Sequence, residues 1–222
     1  MKKRIWLLCA AVAACCAVMA VVDGFLQPPY LVKSAIKIVL FLLIPILLAA
    51  KLGFSPFACL RPDKSAILWG IGLGIGTFAV ILGGYALLSP WLDLSAIPGA
   101  LEEGVGVTAD NFLWVGLYIA LCNSLLEEFF FRGFAFLTLK QQSKGPFAWI
   151  FSGAAFAVYH AAIMKGWFSP LLFVLMLAAL FGCGLFFDLL DTKRERIWVS
   201  WLVHLFANLA INTIGMKLLG MF

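Results

Sequence analysis

Residues 111–139 read NFLWVGLYIALCNSLLEEFFFRGFAFLTL, an apolar run that carries two adjacent glutamates and an arginine near its middle. A membrane-spanning helix needs roughly 20 mostly apolar residues, and this run exceeds that. An ionisable side chain at the bilayer centre costs at least ~2.5–3.5 kcal/mol on insertion scales, so each one there is a functional candidate by default. The stretch therefore reads as a transmembrane helix with chemistry inside it.

Working outward, six further apolar stretches lie at about 5–22, 30–50, 67–89, 146–163, 167–190 and 197–219. Pro28-Pro29, Pro56, Pro62, Pro90, Pro98 and Gly145-Pro146 mark the connections between them. The 222 residues are 64% hydrophobic and only 12% charged, about half the charge a soluble domain carries. The fold class is all-α, a polytopic transmembrane bundle of about seven spans. A natural division puts N-terminal helices and loops in residues 1–109 and a catalytic core in 110–222. The net charge of +5 is dispersed between apolar runs, with no basic stripe for nucleic acid. The six cysteines lie mostly inside the runs and show no zinc-knuckle spacing, so they read as small buried apolar residues.

Lysine and arginine set the expected orientation. With the N-terminus cytoplasmic, eleven basic residues fall on the cytoplasmic side, in 2–4, 51–64, 140–144 and 193–196. Four, Lys33, Lys37, Lys165 and Lys217, fall on the other side or its flanks, together with Asp93, Glu102, Glu103 and Asp110. N-in, C-out is the expectation, in a bacterial cytoplasmic membrane. The first run also has a signal-peptide reading, since MKKR precedes it and Val12-Ala13-Ala14-Cys15 looks like a lipoprotein cleavage box. Its length favours a retained span.

Polar residues inside the spans form a short set. The fourth span holds Asn123, Glu127, Glu128 and Arg132; the fifth holds His160; the seventh holds Ser200, His204, Asn208 and Asn212. His160 and His204 are the chain's two histidines. Glu128 and Arg132, four apart, share a helix face and can pair. Glu127 shares its face with Asn123 and has no basic neighbour on that face. At ~1.5 Å per residue, Glu127 lies roughly 20 Å from Lys140, His160 roughly 21 Å from Pro146, and His204 and Asn208 roughly 10 and 16 Å past Ile197. Three helices thus place polar groups at overlapping depths, and one shared site is the simplest account.

A buried carboxylate beside a histidine can hold and activate a water. A second histidine with an asparagine one turn away offers donors to a developing oxyanion, which together describe hydrolysis of an acyl bond, above all a peptide bond. Zinc held by the two histidines and Glu127 or Glu128 is the alternative, although HExxH is absent. A proton relay in a transporter would use similar residues, but no internal repeat supports one.

The pattern Glu127-Glu128-xxx-Arg132, Phe156-xxx-His160, His204-xxx-Asn208, in this order over about residues 110–215, resembles the CPBP family of intramembrane proteases, also called Abi. The family includes type II CAAX prenyl endopeptidases and bacteriocin-processing or self-immunity proteins. The resemblance implies a helical membrane fold with a cavity open toward the cytoplasm, Glu127 and His160 activating water, His204 and Asn208 stabilising the oxyanion, and Glu128 with Arg132 as support. It implies a peptide or protein substrate at the membrane, by CAAX-type or leader-peptide processing. No cofactor is required by that mechanism and no metal ligand is assigned, with zinc left open because members are described as both metal-dependent and glutamate-dependent. A non-catalytic scaffold or immunity protein of the same fold is the rival reading.

Overall fold

A computed structural model describes residues 2–222, leaving aside the side chains of residues 104 and 105. Eight helices carry the architecture: α1 Lys2–Leu26, α2 Tyr30–Lys51, α3 Lys64–Trp91, α4 Ala96–Val105, α5 Phe112–Gln142, α6 Phe147–Ile163, α7 Pro170–Thr192 and α8 Trp198–Leu218. No strand occurs among the described residues. All but α4 and α6 are long and apolar enough to cross a membrane. The helix carrying His160, α6, is apolar but only 17 residues long. The protein is a helical, multi-pass membrane protein.

With lipid offering little hydrophobic drive between helices, close packing depends on small residues that let backbones approach. Two seams show this. On α3, a Cβ added at Gly70 would sit 2.7 Å from Leu202 Cδ1, and one at Gly74 would enter the Phe206 ring, so α8 lies directly on these glycines. On α7, a Cβ at Gly184 would come within 2.8 Å of the Gly153 Cα, which makes α6 and α7 touch backbone to backbone.

Helix α5 runs through the middle. Its turns widen to π geometry at Ile119–Asn123 and Phe129–Leu137, on either side of the α-helical Ser124–Glu128. Such wide turns inside α-helices are frequent at functional sites. The three phenylalanines after Glu128 are almost wholly buried and seat an aromatic core. Phe41 of α2 stacks on Phe130 at 4.0 Å between centroids, and Phe131 meets Phe156 of α6 edge-on at 5.3 Å. At the end bearing the basic loops, Asp63 caps α3 by accepting from the Ala66 N–H at 2.9 Å and pairs with Arg194 at 2.9 Å. These two contacts hold the Asp63 carboxyl below its usual range.

Lys33 and Lys37 depart from expectation. Counted from sequence as flanking basic residues, both are buried inside the bundle, Lys33 against Asp23 at 3.0 Å and Lys37 against Glu127. A buried ammonium needs a paired anion, and α1 and α5 each supply one. Only Lys165 and Lys217 remain of the four basic residues assigned to that end.

Candidate active site

Four helices converge on the Glu127 carboxylate, which is almost fully buried. Its Oε1 accepts from Lys37 Nζ at 2.5 Å and from Asn123 Nδ2 at 3.0 Å. Lys37 donates also to Asn123 Oδ1 at 2.5 Å, closing a three-membered ring of polar contacts. The Lys37 ammonium lies 4.9 Å from the centre of the Tyr159 ring, whose face adds attraction for a cation. The sequence reading of Glu127 as unpartnered holds only for its own helix, because the cation arrives from α2.

The other carboxylate oxygen, Oε2, faces both histidines: His160 Nε2 at 3.7 Å and His204 Nε2 at 3.8 Å. Each ring is oriented from behind. His160 Nδ1 lies 2.8 Å from the Phe156 carbonyl, which can only accept, so Nδ1 carries the hydrogen and Nε2 presents its lone pair to Glu127. His204 Nδ1 lies 2.8 Å from Glu128 Oε1, and the ring stacks on Phe187 at 5.5 Å. Separations above 3.5 Å between such groups are those a single water bridges.

Glu128 therefore has two partners. Its Oε2 pairs with Arg132 Nε at 3.3 Å, as the four-residue spacing predicts, while Oε1 orients His204. Arg132 is completely buried and lies over the Phe156 and Phe187 rings at 4.3 and 4.9 Å. Asp188 of α7 approaches it at 3.7 Å and accepts from the Ser152 hydroxyl at 3.1 Å. Removing one member of such a buried set leaves an uncompensated charge.

Glu127, His160 and His204 thus meet, with Glu128 and Arg132 behind His204. Asn208 stands apart: its amide donates to the Ile119 carbonyl at 3.4 Å, where α5 widens. Asn212 donates to Gly116 O at 2.8 Å, a helix-to-helix contact. Ser200 donates to Asp191 Oδ2 at 2.6 Å. Sequence reasoning missed Lys37 and Asp188. Both lie inside stretches marked as spans, and the cost of a charge there is the signal that singles them out.

The donor chemistry of Glu127 Oε2 and the two Nε2 atoms suits zinc, whose tetrahedral ligands at ~2.0–2.2 Å sit roughly 3.4 Å from one another. As the side chains stand, no His, Cys, Asp or Glu group among the described residues is drawn together closely enough to hold a metal ion.

The site is thus a carboxylate with one oxygen anchored and the other facing two oriented imidazoles, inside a multi-pass helical bundle. Residues 109–210 match the model of a protein family described as type II CAAX prenyl endopeptidase, Rce1-like. This segment, residues 109–210 of the 222, holds Glu127, Glu128, Arg132, His160, His204 and Asn208, and over it the chain is similar to the CAAX protease family. Lys37 and Asp23 lie outside the matched residues. No curated protein and no solved structure matches the chain.

Proposed function

We propose that the protein is an intramembrane endopeptidase that hydrolyses a peptide bond with a water activated by Glu127 and His160. The observation that carries this is Glu127 Oε2, left free by the Lys37 and Asn123 contacts on Oε1 and flanked by two Nε2 atoms at 3.7 and 3.8 Å. A water between Oε2 and His160 Nε2 donates one hydrogen to each and points a lone pair outward. Glu127 takes its proton as the water oxygen bonds to the scissile carbonyl carbon. The carbonyl oxygen becomes an oxyanion beside His204, whose Nε2 donates to it in the imidazolium form, since Nδ1–H is committed to Glu128. When the C–N bond breaks, the leaving amine takes the proton back from Glu127 and the carboxylate is restored. Asn208 is assigned the second oxyanion donor, which requires its amide to leave the long contact with Ile119.

The family's name supports a protease; the bond cleaved, the residues' roles and the metal-free chemistry are our reading. The donor set supports a second reading, in which Glu127, His160 and His204 would hold zinc and the ion would supply Lewis-acid polarisation. Against it, the Lys37 ammonium already compensates the Glu127 charge.

The test uses purified protein in proteoliposomes with two internally quenched peptides, one ending in a farnesylated CAAX tail and one unprenylated and apolar-flanked. Cleavage of at least one by the wild type, its loss in Glu127→Gln, and survival through exhaustive chelation are the expected results. Loss on chelation with recovery on added zinc would establish the metal reading. Full activity of Glu127→Gln would overturn both readings of Glu127, and cleavage of neither peptide by the wild type would leave a scaffold or immunity protein.

A further inference from the structure

Two carboxylates share one guanidinium behind His204. Glu128, Arg132 and Asp188 are all 0% exposed. Arg132 Nε lies 3.3 Å from Glu128 Oε2 and 3.7 Å from Asp188 Oδ1. An arginine beside a carboxylate frequently grips both of its oxygens, in a two-pronged pair. Arg132 forms no such pair with either acid. Among the described residues, Glu128 Oε2, Arg132 Nε and Nη1, and Asp188 Oδ2 are buried without a hydrogen-bond partner. Such atoms are rare in native structures, and each calls for a reason.

The α6–α7 seam puts Asp188 in this place. A Cβ at Gly184 would meet the Gly153 backbone, and Asp188 follows Gly184 by four residues, on the same face of α7. Ser152, next to Gly153, therefore meets Asp188, and its hydroxyl donates to Oδ1 at 3.1 Å. That hydroxyl also lies 3.2 Å from the Phe131 carbonyl, which ties the pair to α5 one residue before Arg132. Gly184 O accepts from Arg132 Nη2 at 3.4 Å, so α7 approaches the guanidinium at two points. Asp191, the other buried acid of α7, is committed elsewhere: its two oxygens accept from the Ser200 hydroxyl at 2.6 Å and the Ser200 N–H at 3.4 Å.

The oxygen at stake is Glu128 Oε1. It accepts from His204 Nδ1 at 2.8 Å and thereby turns Nε2 toward Glu127. A two-pronged grip by Arg132 on Glu128 would draw Oε1 to the guanidinium and strip His204 of its orienting partner. A second carboxylate at the same Nε competes for that cation.

We propose that Asp188 is a positioning residue: by competing with Glu128 for Arg132, it limits the Glu128–Arg132 contact to one oxygen and leaves the other to orient His204. This rests on the protease reading and adds to it a residue that acts through two others.

The test is Asp188→Asn, which keeps the size of the side chain and an oxygen to accept from Ser152 but removes the competing charge. The full chain, isotope-labelled in its histidine rings, is measured by NMR in detergent. It has two histidines, so a parallel sample with His160→Gln assigns the signals. The wild type should show the His204 Nδ1 proton far downfield, as a hydrogen bond to a carboxylate requires, and Asp188→Asn should lose that signal. In proteoliposomes with a quenched peptide that the wild type cleaves, Asp188→Asn should lower kcat about tenfold or more, with KM within about twofold. Its melting temperature should stay within about 4 °C of the wild type, because Glu128 and Arg132 remain a charge-balanced pair. A His204 signal unmoved by Asp188→Asn, or a lost signal with kcat unchanged, would overturn the positioning role. A collapse of the melting temperature would overturn it too, by making Asp188 a residue of the packing alone. Cleavage of neither peptide by the wild type, or cleavage retained in Glu127→Gln, would remove the protease reading and with it the reaction Asp188 serves. The His204 signal would still report whether Asp188 governs the Glu128 contact, so the two failures are told apart.

Discussion

Replacing Lys37 by methionine keeps the length of the side chain and removes its charge. The ammonium it deletes donates to Glu127 Oε1 and to Asn123 Oδ1, both at 2.5 Å, and the Lys37 and Glu127 side chains are only 6% and 3% exposed. Breaking a buried pair by removing one partner typically costs ~3–5 kcal/mol, because the other charge stays behind without compensation. For a chain of this size each kcal/mol moves the melting temperature by roughly 2–4 °C, so Lys37→Met should melt about 6–20 °C lower. Glu127→Gln strands the ammonium in turn, though Asn123 Oδ1 still accepts from it, so that single variant should fall less. The double variant Lys37→Met, Glu127→Gln has no unpaired charge and should melt above Lys37→Met alone. Melting in detergent, followed by tryptophan fluorescence for the four proteins of the cycle, reads the coupling directly. Strictly additive shifts, or a Lys37→Met variant that melts like the wild type, would show that the pair does not form. Cleavage adds a second check: Lys37→Met releases the anchor of Glu127 and should lower kcat more than it raises KM.

Three further outcomes follow from the same contacts. Glu128→Gln should lower both melting temperature and kcat, because it weakens the hold on Arg132 and the orientation of His204; unchanged kcat in a folded variant would separate Glu128 from the reaction. Asn208→Ala should reduce kcat by roughly 10²–10³-fold, the usual effect of removing an oxyanion donor, while Asn212→Ala should mainly cost stability; equal effects on kcat would make the stripe a packing interface. Burial pushes the Cys59 thiol up to about 12, so at any pH well below that it stays protonated. In the folded protein at pH 8, Cys59 should react with maleimide far more slowly than in the unfolded chain, and equal rates would contradict its burial.

Much of this site is readable in the sequence because membranes make polar residues conspicuous. Glu127, His160 and His204 stand out from apolar runs, and helical rise alone puts them at compatible depths. The Glu128–Arg132 pair follows from spacing on a single helix. Cross-helix partners are not readable by the same means. The Glu128–His204 contact depends on how α8 is rotated about its axis, which spacing within α5 does not determine. Lys37 escapes the sequence reading because a lysine seven residues into a span fits the habit of snorkelling to the interface equally well. Asp188 sits near the end of its marked stretch and reads with the loop that follows. The short α6 is still apolar throughout, so composition marks it as a span although its 17 residues fall below the usual length.

The two glycine seams have a mechanical consequence. Backbone contact at Gly153 and Gly184 welds α6 to α7, and Gly70 with Gly74 does the same for α3 and α8. His160 rides on the first welded pair and His204 on the second, with the Glu127 oxygen between them. Any breathing that parts the two pairs stretches the gaps of 3.7 and 3.8 Å before it disturbs either seam. Those two distances act as a caliper: they lengthen as the two welded pairs part and recover as the pairs close.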